Sequence, residues 1–250
     1  MESRTAAREA AFLLPHLRSG MRLLDVGCGP GTITLGLAEA VAPGSVAAVD
    51  LQKNLVNRAR VLASERSVHN VSFSVANVYN LPFHSRTFDA AFAHAVLMFM
   101  GDPIAALTEI RRVLRPGGFV GLRDPDIGGT FHVPTTPMLQ QWHDLRIRVR
   151  QHDGGDSSRG RHHRELLLEA GFTRAEATAT VSTAGSLEET RRTASFEKVQ
   201  LDGLARTAVA EGWVNHDQLQ SLGREIIAWG ERPDAFSAIV WCEALGWVPD

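Results

Sequence analysis

Leu23-Leu24-Asp25-Val26-Gly27-Cys28-Gly29-Pro30-Gly31 couples a short apolar run to three glycines at alternate positions. Met21–Val26 reads as a buried strand. Thr32–Val41, closed by Pro43-Gly44, reads as a helix. Between them the backbone must turn sharply and let a ligand approach closely, and glycine permits both because it has no Cβ. The free N–H groups at such a helix start favour negative charge. A dinucleotide loop would show G-x-G-x-x-G, but Thr32 stands where the third glycine of that pattern belongs. Two acids accompany the bend: Asp25 inside the end of the first strand, and Asp50 at the end of the next one, Val46–Asp50. A carboxylate at Asp50 can accept both hydroxyls of a ribose. Its plainer reading is a cap for the helix that follows.

Working outward, short apolar runs alternate with helical patterns. Lys53–Glu65 is a second helix. Val71–Val75 and Phe88–Ala93 are further strands. Asp102 caps a helix that opens on Pro103, with Ile104, Leu107, Ile110 and Leu114 as its apolar stripe. Pro116-Gly117-Gly118 stops it, and Phe119–Leu122 is a fifth strand. This alternation implies parallel strands joined by right-handed crossovers. Beyond Arg123 the rhythm changes. Thr136–Gln151 is helical, and Gly160–Ala170 is a further helix with Gly171 just past its end. Thr173–Ser182 is strand-like, Leu187–Trp229 is long and helical, and Phe236–Leu245 returns to strand. Residues 187–232 therefore read as an insertion between the last two strands, which would make a lid. Trp142, Trp213, Trp229, Trp241 and Trp247 all fall in the second half. They read as core and lid packing, or as the walls of an aromatic acceptor pocket.

Length and charge narrow the classes. The chain has 250 residues, of which 44% are hydrophobic, enough for one α/β core with a helical addition. A net charge of -2 gives a polyanion partner no support. Cys28 and Cys242 are too few for a disulfide framework or a Cys-rich metal site, which fits a reducing cytoplasm. No apolar run is long enough to span a bilayer, and Met1-Glu2-Ser3-Arg4 has no signal-like core. His162-His163 diverge by about 100° on a helix and have no companion ligands, so no metal is expected. Cys28 reads as a small residue beside a ligand rather than a nucleophile. Arg111, Arg112 and Arg115 read as a solvated helix face.

The glycine run resembles motif I of class I S-adenosylmethionine-dependent methyltransferases. Later segments resemble the branch that holds the ubiquinone and menaquinone biosynthesis C-methyltransferases. These are Val75-Ala76-Asn77-Val78-Tyr79-Asn80-Leu81-Pro82-Phe83, Phe88-Asp89-Ala90-Ala91-Phe92-Ala93-His94, and Glu109-Ile110-Arg111-Arg112-Val113-Leu114-Arg115-Pro116-Gly117-Gly118. Arg4-Thr5-Ala6 with Leu13-Leu14-Pro15-His16-Leu17 resembles the opening segment of many actinobacterial and fungal members. The match covers residues 4–124 and fades over 125–250, where the acceptor is normally chosen.

The resemblance implies an α/β fold, Rossmann-like and doubly wound. Its seven-stranded sheet would be mostly parallel with an antiparallel last strand, and a helical lid would be inserted near the C-terminus. The whole of 1–250 would be one methyltransferase domain, with a core of about 20–182 and 233–250, an N-terminal helical segment 1–19 and a lid of about 187–232. S-adenosylmethionine would be the cofactor and S-adenosylhomocysteine the product. Gly27, Gly29 and Gly31 would flank its methionine part beside Asp25. Asp50 would hold the ribose, and Leu51 would pack on the adenine. Asn77 and Val78 would meet the adenine edge. His94 would lie beside the sulfonium, mostly through backbone, and Arg4 would reach the cofactor carboxylate. The family usually has Asp where this chain has Asn77; an amide oxygen still accepts from an amino group but adds no charge.

A methyl donor that is already electrophilic needs a base only if the acceptor must lose a proton. Groups at carboxyl ends of strands are the candidates: His94, Asp124 and Asp126, with His132 beyond and His143 on the next helix. Asp124-Pro125-Asp126 can also simply shape a turn. The expected acceptor is a small organic molecule, a secondary metabolite with an aromatic or heteroaromatic ring, with no nucleic acid or membrane partner; a homodimer would be ordinary. Two other readings stand beside this one: a non-catalytic protein that binds the cofactor, and a nicotinamide-dependent oxidoreductase, which the missing third glycine disfavours.

Overall fold

The computed structural model describes residues 4–250. Its strands are β1 (Arg22–Val26), β2 (Ser45–Asp50), β3 (Val71–Val75), β4 (Phe88–His94), β5 (Leu114–Val133), β6 (Arg174–Ala184) and β7 (Phe236–Trp247). The helices are α1 (Ala6–Glu9), α2 (Thr32–Val41), α3 (Lys53–Glu65), α4 (Pro103–Val113), α5 (Pro137–His152), α6 (His163–Glu169), α7 (Leu187–Ala210) and α8 (His216–Gly230). The strands form one seven-stranded sheet in the order β3-β2-β1-β4-β5-β7-β6. From β3 to β5 neighbouring strands run parallel. The last strands are antiparallel: Val248 N–H donates to Gly118 C=O at 2.8 Å, and Thr173 N–H to Trp247 C=O at 3.0 Å.

The chain forms two compact units. One holds the described residues up to 124, with 160–178 and 242–250; the other holds 125–159 and 179–241. In the first, Leu24, Val26, Ala91, Ala93, Val120 and Leu122 pack against α4 and α6 through Leu107, Ile110 and Leu167. On the other face, Leu23, Ala48, Ala90 and Phe92 meet Leu37, Ala38, Val56 and Ala59 of α2 and α3. A parallel strand covered on both faces reads as an unbroken apolar run, which is why β1 and β4 stood out. Each large side chain buried this way contributes roughly 1.5–3 kcal/mol.

The second unit has its own core, built from Leu139, Trp142, Leu145 and Val149 of α5 with Ala194, Leu201, Leu222, Ile226 and Trp229 of α7 and α8. Trp142 and Trp229 are buried there, so these two tryptophans are packing residues. The helical stretch beginning at Leu187 breaks into two helices, each with a reciprocal capping box: Ser186 with Glu189, and Asn215 with Gln218.

Two further elements differ from the sequence expectation. The fifth strand does not end at Leu122 but runs through Asp124-Pro125-Asp126 to Val133. Turn-forming residues remain extended there because Arg123 and Asp124, both fully buried, meet buried partners. The helix expected over Gly160–Ala170 is shorter, a tight 3-10 turn at Arg159–His162 followed by α6. No helix among the described residues is long and apolar enough to cross a membrane.

Candidate functional site

The carboxyl ends of β1, β2 and β4 lie side by side, and the glycine bend leaves the middle one. Gly27 and Cys28 both donate their N–H to Val49 C=O, at 2.8 and 3.0 Å. Gly27, Gly29 and Gly31 have φ of 71°, 53° and 83°. At Gly27 a Cβ would lie 2.4 Å from Val96 Cγ2, and at Gly31 one would lie 2.9 Å from Ala59 Cβ. Gly29 is different: among the described residues nothing lies within 4 Å of where its Cβ would be. Two glycines therefore serve packing, and the third leaves bare backbone facing open space. Gly27→Ala is expected to destabilise the fold by roughly 2–4 kcal/mol, the sum of overpacking and a left-handed residue with a Cβ. Urea denaturation measures this.

Asp50 closes the bend. Its Oδ2 accepts from Gly29 N–H at 2.9 Å, and its Oδ1 from Gln52 N–H at 2.8 Å. Each carboxylate oxygen retains a lone pair for another donor. The next residue, Leu51, is 69% exposed, an apolar side chain with no protein surface to cover.

Asp25 is fully buried and accepts from Thr34 Oγ1 at 2.6 Å, so it pins α2 behind the bend. Burial pushes its pKa up from 3.8 to about 7, opposed by the Thr34 hydrogen bond and assisted by the Asp50 charge. Between those two values the folded chain holds a proton that the unfolded chain has released. Stability must therefore fall as pH rises from about 4 to about 7, by on the order of 4 kcal/mol from this group. Asp25→Asn keeps an acceptor for Thr34, and the difference between its stability–pH curve and that of the wild type should trace this slope. Burial also raises the Cys28 thiol, helped by Asp25 and Asp50, which leaves it unsuited to nucleophilic work.

Asn77 is exposed; its side-chain oxygen accepts from Tyr79 N–H at 3.1 Å, closing a local turn. Val78 is buried in the core, so only its backbone is offered outward. Arg112, first read as part of a solvated helix face, fixes the end of this segment together with Glu109. Glu109 accepts from Leu81 N–H at 2.8 Å, and Arg112 donates to Leu81 C=O and Phe83 C=O.

His94 ends β4 beside Arg123 of β5. Its Nε2 lies 3.2 Å from Glu9 Oε2, and Glu9 also pairs with the Arg123 guanidinium. Arg123 Nε reaches Glu243 Oε1 at 3.0 Å. Burial lowers the pKa of His94 despite the Glu9 hydrogen bond. Arg4 adds its charge to this cluster, acting on both Glu9 and His94. Just after His94, Ala95 takes a left-handed conformation with φ 54°, held by its N–H to Arg123 C=O at 2.7 Å. Such strain concentrates at functional sites.

Among the acceptor-side candidates, Asp124 is fully buried, with Oδ1 accepting from Met98 N–H at 3.2 Å and Oδ2 2.9 Å from His163 Nε2. Asp126 accepts from Gly129 N–H at 3.2 Å. His132 and His143 belong to the second unit, in a closed network. His132 Nδ1 is 3.1 Å from His143 Nε2, and His132 Nε2 is 3.1 Å from Glu197 Oε1. Trp142 Nε1 donates to Glu197 Oε2 at 3.1 Å, and Arg146 Nη2 lies 3.3 Å from His143 Nδ1. Both ring nitrogens of each imidazole are thus engaged.

Sequence reasoning passed over Glu9, Arg123 and Glu243, and weighed His163 only as a metal ligand. The available signal was a charged pair, Arg123-Asp124, directly continuing an apolar strand: such a pair is buried only where partners await it.

A positively charged adenosine derivative suits the bend: open backbone at Gly29, a carboxylate 2.9 Å away at Asp50, and an exposed apolar face at Leu51. Residues 17–164 match the family described as "Methyltransferase domain". An uncharacterized methyltransferase of Schizosaccharomyces pombe is 34% identical over 235 residues, covering 84% of this chain and 83% of the relative. The demethylmenaquinone methyltransferase of a Geobacillus strain is 36% identical over 114 residues, 45% of this chain and 49% of that one, which supports the likeness to quinone C-methyltransferases. Among solved structures, YcgJ of Bacillus subtilis superposes with a TM-score of 0.66 at 18% identity, covering 98% of this chain and 99% of its own, a likeness of fold. The family match spans more than half of the chain, and with the glycine bend and Asp50 it leads to one conclusion: the chain belongs to the methyltransferase family and is an S-adenosylmethionine-dependent methyltransferase.

Proposed function

We propose that this enzyme methylates a small aromatic or heteroaromatic acceptor by in-line displacement, with the donor seated on the glycine bend. The observation that carries the reading is the bare backbone at Gly29 under the Asp50 carboxylate. The bound cofactor supplies an electrophilic methyl group on a sulfonium. The chain's part is to bind, orient and exclude water. Gly27, Gly29 and Gly31 flank the methionine part and Asp25 supports them from behind. Asp50 takes the ribose hydroxyls, and Leu51 covers the adenine. Asn77, whose oxygen is partly used by its own turn, and the Val78 backbone meet the adenine edge. The His94 backbone borders the sulfonium, and Arg4 reaches toward the carboxylate. Asp124 is the proposed acceptor-side group of the unit that holds the bend.

An aromatic acceptor is supported by the name of the demethylmenaquinone relative and by the likeness of residues 4–124 to quinone methyltransferases. The test is transfer of a tritiated methyl group from S-adenosylmethionine to a panel of hydroxylated arenes and N-heteroarenes, after equilibrium dialysis has measured donor binding. Saturable binding and label in at least one arene are expected. Binding without transfer to any panel member, or transfer confined to aliphatic acceptors, overturns the acceptor reading.

A further inference from the structure

His163 has the geometry of a base, although nothing in the sequence singled it out for that role. The imidazole is 1% exposed, at the first turn of α6. Its Nε2 lies 2.9 Å from Asp124 Oδ2, while Nδ1 is buried with no hydrogen-bond partner among the described residues. Asp124 is held in turn, because its Oδ1 accepts from Met98 N–H in the turn that follows β4. A carboxylate that accepts at both oxygens forces the imidazole proton onto Nε2. The lone pair is then on Nδ1, the atom left without a partner. Buried acceptors without partners are uncommon in folded proteins and call for an explanation.

The position adds a second argument. Gly27 follows Val26, which pairs with Ala93 of β4, which pairs with Leu122 of β5. Asp124 stands two residues beyond Leu122, on the carboxyl side where ligands of open α/β sheets bind. Two strand spacings separate the bend from this point of β5, about 10 Å. The turn that follows β4 joins the two places, with Val96 against Gly27 and Met98 N–H on Asp124. His162, by contrast, is exposed and turned to Glu165 at 3.1 Å, so only the second of the two adjacent histidines is a candidate.

We infer that His163 is the general base of the reaction and Asp124 its positioning residue, an assignment that rests on the methyl-transfer reading above. The acceptor is of the ring-hydroxyl class. In the step assigned to the dyad, the acceptor O–H bond breaks and an N–H bond forms at His163 Nδ1. The electron pair stays on the acceptor, raising the nucleophilicity of its oxygen or of the ring carbon conjugated to it. The imidazolium so formed is stabilised by Asp124 and later yields its proton to water. No oxidant or reductant takes part.

Two measurements test this, the first of which needs no turnover. Imidazole nitrogen NMR on the protein labelled with 15N-histidine should show His163 as a single neutral tautomer, protonated at Nε2, and Asp124→Asn should mix the tautomers. A proton on Nδ1 in the wild type overturns the assignment, even if no variant folds. The second measurement compares wild type, His163→Gln and Asp124→Asn with catechol and 1,4-dihydroxynaphthalene as acceptors. For His163→Gln, kcat should fall 10²–10⁴-fold, donor Kd should stay within twofold, and the acid limb of the pH–rate profile should disappear. Asp124→Asn should lower kcat and shift that limb. His163→Gln retaining kcat within threefold overturns the assignment while leaving methyl transfer intact. A wild type that binds donor but methylates neither probe, nor any other ring-hydroxyl compound of the panel, overturns the reading on which the assignment rests.

Discussion

Asp50→Ala is expected to weaken S-adenosylmethionine binding by at least two orders of magnitude. Hydrogen bonds to a charged partner contribute about 1.5–3 kcal/mol each, and a carboxylate facing two ribose hydroxyls makes two of them. About 3 kcal/mol corresponds to more than a hundredfold in Kd. The substitution also removes the acceptor for Gly29 N–H and Gln52 N–H, so the bend loses its internal brace with its ligand. Asp50→Asn keeps one oxygen and should lose about tenfold, toward the lower end of these energies. Isothermal titration calorimetry reads both, and unfolding curves for the free proteins separate lost binding from lost fold.

The second large effect concerns the helical unit. Glu197→Ala should cost roughly 3–5 kcal/mol, the range for removing one partner from a buried ionic network. Arg146, His132 and Trp142 all meet the Glu197 carboxylate, at 3.1–3.6 Å. Burial raises its pKa, but the His132 hydrogen bond and the Arg146 charge outweigh this and keep it below the usual range. Removing it strands a buried guanidinium whose Nε has no hydrogen-bond partner among the described residues. Trp142 and Trp229 are core residues of this unit, so tryptophan fluorescence during urea unfolding reports on it. A loss under 1 kcal/mol would contradict this account.

The same network carries a pH dependence. Burial, then Arg146 and His132, lower the pKa of His143 from 6.5 to about 4. Between those values the unfolded chain binds a proton that the folded chain refuses. The contribution is complete above pH 6.5 and is lost as pH falls to about 4, on the order of 3 kcal/mol. Its sign is opposite to that of Asp25, so the two groups together favour neither end of the acid range. His143→Phe would remove this acid sensitivity at the cost of the His132 and Arg146 contacts.

How much could be read from the chain alone depended on the range of the interactions. The bend, β1, β2 and β4 were legible because glycine placement and apolar runs are local signals, and Asp50 reaches Gly29 across a single crossover. The buried cluster around His94 was not. Glu9 and Arg123 are 114 residues apart, and Arg123 and Glu243 are 120 apart, so no window of sequence contains both members of either pair. The continuation of β5 was missed for the same reason. Asp124-Pro125-Asp126 has the local chemistry of a turn, and its buried partners lie far off in the chain: Met98 N–H, 26 residues before Asp124, and His163, 39 residues after it. His163 itself was weighed as a metal ligand, because adjacency to His162 was visible and the carboxylate behind it was not. The closed ring formed by His132, His143, Arg146 and Glu197 draws on a strand and two helices that no motif connects.

The most direct test is a crystal structure of the enzyme with S-adenosylhomocysteine. The account predicts both ribose hydroxyls on the Asp50 carboxylate, the amino-acid end over the backbone at Gly29, and the purine against Leu51. A nucleoside bound elsewhere, with the Asp50 carboxylate left to Gly29 and Gln52 alone, would contradict it.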